Sequence, residues 1–244
     1  MPDRPFLTAA WRHLAMLNWV VPPALVAPLV PRGCEMDEFD GRTYVSLVGL
    51  QFEDTRVLGV AVPGHRSFPE VNLRCYVRRR AGGEVRRAVT FIREFVPRRA
   101  IVAAARWLYN EPYRYRPMSA TIDEGADGIA RRALYRAGDL ELDLETSGRP
   151  MVPGAGSLEQ FIAEHYWGYT AQRNGGTSEY RVAHEPWRIT PATRARISGG
   201  FSEAYGPEFG AVLATPPASA WVADGSRVTV FTPTRVPLAS PPRS

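Results

Sequence analysis

Alternation between apolar and polar side chains is strongest between residues 70 and 80. There Val71, Leu73, Cys75 and Val77 fall on one side of an extended strand, and Glu70, Asn72, Arg74, Tyr76 and Arg78 fall on the other. Gly82-Gly83 supply the positive φ angles of a tight turn, and residues 87–96 form the returning strand of a hairpin. A polar strand face of this kind meets either bulk water or, in a barrel, a wet internal pocket.

The same reading extends along the chain. Residues 6–21 are an extended segment with aromatic ends, and Pro22-Pro23 open a short helix over about 22–30. Residues 43–52 are rich in β-branched and aromatic side chains and form a strand, with another at 57–62 closed by Pro63-Gly64. The clearest helix runs over 98–109, opened by Pro97, Ala-rich, and ended before Pro112. Further strands are expected near 113–122, 128–137, 139–146, 166–172, 178–184 and 226–232. A second helix is expected at 191–198, and Ser157-Leu-Glu-Gln160 is a capping box ahead of a short helix reaching His165. Many strands and a few short helices define a β-rich α+β class, read as one domain over 1–235 followed by a Pro-rich flexible tail at 236–244.

Composition changes this picture in two places. Pro is abundant, 22 of 244 residues, which disfavours long helices and suits short strands joined by rigid loops. All 30 basic residues are Arg. Without a Lys the chain has no amine for an internal Schiff base, for anchoring pyridoxal phosphate or for a phosphate-binding loop, since a guanidinium does not lose its proton. Cys34 and Cys75 lie in no CxxC or Cys/His spacing, and His13, His65, His165 and His184 are scattered. No metal site, disulfide framework or cofactor fingerprint is therefore expected. The apolar run at 14–31 is broken by four prolines and lacks the order of a signal peptide, so a cytoplasmic protein without membrane contact is expected. The net charge of +5 comes from Arg residues interspersed with acids, an arrangement that does not indicate nucleic acid. The oligomeric state is left open, a homo-oligomer included.

Two stretches carry candidate chemistry. In the first, Glu70, Asn72 and Arg74 stand at i, i+2 and i+4 on one strand face just after His65. This row fits a small carboxylate or a polarised carbonyl, with Glu70 as acid or base. The second is Arg93-Glu94, followed by Arg98-Arg99 at the start of a helix. Two cations add there to the positive end of the helix dipole, so they invite an anion or a neighbouring carboxylate. Against both stands the plainer reading of exposed faces carrying neutralising ion pairs.

The segments Asn18-Trp19, Tyr44 to Gly49, Glu70 to Val77 and Phe91 to Arg99 resemble the uncharacterised YqjF-like family, also known as DUF2071. That family is similar in pattern to the acetoacetate decarboxylases. The resemblance implies a curved or cone-shaped β-barrel or double sheet with a few peripheral helices and a buried pocket. In the decarboxylases an Arg-Glu pair precedes a Pro-Lys-Lys segment that carries the Schiff-base Lys. The matching residues here are Arg93-Glu94 and Pro97-Arg98-Arg99, and the pocket glutamate matches Glu70. The resemblance thus implies a shared scaffold without its nucleophile. The expectation is a pocket for a small organic carboxylate or related anion, held by Arg98 and Arg99 with Arg74, Asn72, Arg93 and His65 around it. Whether such a pocket also catalyses stays open; any catalysis would be non-covalent acid–base chemistry with Glu70. A non-catalytic structural or partner-binding β-barrel is the alternative.

Overall fold

The computed structural model describes residues 4–125 and 129–236; residues 237–244 of the expected tail lie outside them. Strand β1 (Pro5–Val21) leads into α1 (Pro23–Val26) and a single 3-10 turn. Then come β2 (Glu35–Met36), β3 (Thr43–Val57) and the hairpin of β4 (Phe68–Ala81) and β5 (Glu84–Val96). Helix α2 (Arg99–Leu108) precedes β6 (Tyr113–Tyr115), β7 (Met118–Glu124), β8 (Ala130–Ala137) and β9 (Leu140–Ser147). After α3 (Leu158–Ala163) follow β10 (Trp167–Ala171), β11 (Thr177–His184) and β12 (Ile189–Ser198). The chain ends with α4 (Phe201–Tyr205), α5 (Pro207–Leu213), β13 (Ser219–Phe231) and β14 (Thr234–Arg235).

The strands hydrogen-bond in the order β14-β11-β10-β5-β4-β3-β1-β13-β12-β9-β8-β7. A further pairing of β11 with β13, Val182 opposite Val230, brings distant parts of this path together, so the sheet curls around an interior. Strand β12 leaves β13 after Pro191 and continues along β9, carrying β9, β8 and β7 away as a second layer.

The alternation in β4 is buried on both sides, and that explains its length without a solvent face. Val71, Leu73 and Cys75 pack with Leu17, Trp19, Val45 and Leu47 against Tyr135, Leu140, Leu142 and Leu144 of the second layer and against Phe201, Tyr205 and Leu213 of α4 and α5. Gly49 lets Tyr135 lie directly on β3, since a Cβ there would come 2.5 Å from the ring. The opposite face, with Tyr44, Val48, Leu50, Phe52, Phe68 and Tyr76, turns toward the curled interior. Burying one large apolar side chain contributes about 1.5–3 kcal/mol, so these two cores hold the sheet in its curl.

Three expectations from the sequence change. Residues 57–62 form no strand of their own: β3 continues to Val57, and the chain then turns at Leu58, whose φ is +50°, and at Gly59. The strand expected at 113–122 is split into β6 and β7 around Arg116-Pro117, because Pro117 has no N–H for a ladder. The helix expected at 191–198 is strand β12, whose Ala195 and Ile197 face β9 with exposed residues between them. Its helix-favouring Ala and Arg are overruled by pairing with a waiting strand edge. Among the described residues no helix is long and apolar enough to cross a membrane.

The capping box forms, with one change of partner. Ser157 Oγ accepts from Gln160 N at 3.2 Å, while Gln160 Oε1 reaches back to Gly156 N at 2.7 Å. Ser157→Ala is expected to lower stability by about 1 kcal/mol, read as a shift of the urea midpoint at constant slope.

Candidate functional site

The curled sheet encloses a cavity of about 580 Å3, within the range of small-molecule sites. Most of its wall is apolar and aromatic: Trp11, Phe52, Phe68, Phe91, Tyr113 and Trp187. Helix α2 lies across it with Ala100, Ile101, Ala104, Ala105 and Leu108 turned inward, yet none of the helix's residues is buried. Glu70 is among the residues that line the cavity.

The polar groups gather at two ends. At one end Glu70 Oε1 accepts from Asn72 Nδ2 at 2.9 Å, and Glu70 Oε2 accepts from the Tyr113 hydroxyl at 2.9 Å. Glu111, in the link between α2 and β6, joins it. Glu111 Oε1 accepts from Thr170 Oγ1 at 2.6 Å and from the Tyr180 hydroxyl at 2.8 Å. Glu94 is the third carboxyl. All three glutamates are buried, and Glu94 Oε2, Glu111 Oε2 and Asn72 Oδ1 have no protein hydrogen-bond partner.

Burial dominates the protonation of these acids. It raises Glu70 and Glu111 to about 7, against the hydrogen bonds that favour their charged forms. Glu94 is raised well above the usual carboxylate range by burial, with the charges of Glu111 and Glu70 adding to it. Acids tuned to neutrality can give or take a proton under physiological conditions, which an exposed glutamate does poorly.

At the other end stands Arg74, only 8% exposed. Its guanidinium lies 5.7 Å from the Tyr76 ring, Nε has no partner, and no ion pair among the described residues includes it. His165 and His184 also line the cavity. Burial lowers His165 to about 4, and Asp37 Oδ2 holds its Nε2 at 3.2 Å. The ring is therefore neutral at pH 7 and leaves Nδ1 as an acceptor. Arg87 completes this arrangement by donating to Asp37 at 2.7 Å. Among the described residues no cluster of His, Cys, Asp and Glu has the arrangement of a metal site.

The structure brings together Glu70, Asn72, Arg74 and His65 on the cavity wall, His65 with its Nδ1 2.9 Å from the Pro63 carbonyl. It does not bring the other arginines there. Arg98 is the N-cap of α2 in extended conformation and donates to the Gly64 carbonyl at 3.0 Å, tying the helix to the 62–65 loop. Arg99 is exposed and stacks on Tyr115 at 4.3 Å. The expected Arg98-Arg99 cradle is corrected accordingly: those cations remain hydrated or satisfied by backbone outside, and Arg74 is the cation within.

Arg93 is also turned away, and a β-bulge is the reason. Leu73 pairs with Arg93 but Arg74 pairs with Phe91, leaving Ile92 as an extra residue in β5. Strict alternation would put Arg93 on the face of Val89 and Phe91. The bulge puts Glu94 there instead, opposite Asn72, and Arg93 donates to the Ala204 carbonyl of α4. The sequence reading missed Glu111, Tyr113, Tyr180 and His165. One signal was present for Tyr180: Gly168 lies opposite it in β10, where a Cβ would come 2.2 Å from the ring.

A curled sheet with a few helices outside is the fold shared with acetoacetate decarboxylase-like structures. Across 95% of this chain and 87% of the other, the fold matches acetoacetate decarboxylase from Legionella pneumophila, at 12% identity and a TM-score of 0.62. An acetoacetate decarboxylase-like enzyme from Sphingomonas wittichii matches at 12% identity and 0.61, covering 95% and 93% of the two chains. The enduracididine biosynthesis enzyme MppR, complexed with pyruvate, matches at 12% identity and 0.63, covering 96% and 91%. The chain belongs to the DUF2071 family, described as an uncharacterized conserved protein, whose model matches residues 8–227. The uncharacterized protein YqjF of Bacillus subtilis is 26% identical over 198 residues, 80% of each chain.

Proposed function

We propose that the cavity binds a small organic acid, seating its carboxylate on Arg74, and that Glu70 moves a proton to or from the bound molecule without a covalent intermediate. One observation carries this reading: a guanidinium nine-tenths buried on a cavity wall, with no carboxylate paired to it. A buried charge left unpaired is costly, and an organic carboxylate supplies the missing charge with bidentate geometry. The nearest opposite charge in its own strand is Glu70, which Arg74 influences only through space. The pyruvate complex of MppR, a structure of the same fold, supports a small oxo acid as the kind of molecule involved. Non-covalent chemistry follows from the absence of any Lys in the chain and from acids tuned to near neutrality.

Thermal unfolding with pyruvate, acetoacetate and hexanoate tests the proposal. A ligand at about a hundred times its Kd adds about 2.7 kcal/mol, which raises the melting temperature of a chain this size by roughly 5–10 °C. At least one acid is expected to give such a rise with wild type and with Arg98→Ala, and none with Arg74→Gln. Equal rises in wild type and Arg74→Gln, or none in wild type with any acid, would refute it.

A further inference from the structure

The acidic end of the cavity has a property that the carboxylate reading leaves unused. Three carboxyls converge there, and none of them forms an ion pair among the described residues; Arg74, whose position on β4 is roughly 13 Å along the strand from that of Glu70, acts on Glu70 only through space. The hydrogen bonds are unbalanced in the same sense. Glu94 Oε2, Glu111 Oε2 and Asn72 Oδ1 are acceptors without donors. The donors present are already engaged: Tyr113 on Glu70, Tyr180 and Thr170 on Glu111. Independently, Tyr109, 8% exposed and on the same wall, holds its hydroxyl without a partner. Its ring stands edge-on to Tyr180 at 5.4 Å, so aromatic rings flank the acids on the α2 side. Carboxylates flanked by aromatic rings favour a nitrogen cation, and a primary ammonium brings three donors to three empty acceptors.

We infer that this end takes a protonated amine, so that the ligand is an amino acid whose carboxylate and amine are separated by several methylene groups. The inference rests on the carboxylate seat at Arg74 proposed above. The apolar wall between the two ends, with Val48, Leu50, Phe68 and Phe91, suits the methylene chain. The ammonium supplies the cation that the three acids lack and restores their charged forms. The carboxylate does the same for Arg74 at the far end.

Calorimetric titration of the full chain with hexanoate, hexylamine and 6-aminohexanoate separates the two ends. In wild type, 6-aminohexanoate is expected to bind on the order of tenfold or more tightly than hexanoate, the effect of added charge-assisted hydrogen bonds. In Glu94→Gln and Glu111→Gln that affinity ratio should fall toward one. Both changes are isosteric, and circular dichroism checks that each variant is folded. A ratio near one in wild type, or an undiminished ratio in both variants, overturns the amine site while leaving the carboxylate seat standing. If hexanoate does not bind, and pyruvate and acetoacetate do not either, the carboxylate reading is the one that fails. Hexylamine then reads the acidic end alone: binding weakened in Glu94→Gln and Glu111→Gln supports that site, and no binding removes it.

Discussion

Replacing Gly225 with alanine should lower the melting temperature by on the order of 10 °C. Gly225 sits in β13 opposite Arg12 of β1, at a φ of +77°. A Cβ there would lie 1.9 Å from the Trp11 carbonyl oxygen and 2.7 Å from its carbon, both backbone atoms. Strand β1 cannot retreat, because it is paired on one side with β13 and on the other with β3. The left-handed backbone costs a non-glycine residue about 1–2 kcal/mol, and forcing the strands apart adds roughly 1–3 kcal/mol. In a protein of this length each kcal/mol moves the midpoint by about 2–4 °C. Thermal unfolding by circular dichroism reads the effect, and a drop below about 3 °C would contradict it. Trp11 also lines the cavity, so the distortion reaches the site.

The second large effect is a variant expected to gain stability by losing a candidate functional group. Glu111 rises to about 7 in the folded chain from an ordinary 4.5, chiefly through burial. Between these values the folded state holds a proton that the unfolded chain has released, so this group's contribution is fully favourable below about pH 4.5 and is lost as the pH rises through 7. The difference corresponds to about 3 kcal/mol. Glu111→Gln keeps an acceptor for Thr170 and Tyr180 and removes the charge. It should therefore be more stable than wild type by about 1–3 kcal/mol at pH 8, with the advantage gone at pH 4.5. His165 works in the opposite direction. Its value is lowered to about 4, so its contribution is present above pH 6.5 and lost as the pH falls through 4. That slope is common to both proteins and cancels in their difference. Urea unfolding at pH 4.5, 6 and 8 measures it. A variant less stable than wild type at pH 8, or a difference independent of pH, would contradict the assignment of Glu111 as a carboxyl forced toward its neutral form.

What could be read from the sequence depended on regular repeats. The row Glu70, Asn72 and Arg74 lies within one strand of period two, so sequence alone placed it on one face, and the structure puts that face on the cavity. The α2 arginines were misplaced by a detail of helix phase. Ile101, Ala104, Ala105 and Leu108 form the inward stripe, and Arg99 shares the other face with Val102, Ala103 and Arg106. Arg98, with a φ of −137°, has left the helical path altogether. Glu111 had no repeat to reveal it. It follows Asn110, whose φ is +57°, in an irregular link, and its partners Thr170 and Tyr180 lie 59 and 69 residues later. Contacts of that separation are fixed by the curl of the sheet, which no local pattern encodes. The same holds for His165, whose partner Asp37 is 128 residues away.

The extra residue at Ile92 works as a phase shifter in an otherwise binary code. It decides which of two adjacent, oppositely charged neighbours, Arg93 or Glu94, faces the cavity. A one-residue change of length in this strand would therefore exchange a carboxyl for a guanidinium on the chamber wall, while Phe95 and Val96 would each still meet an apolar core.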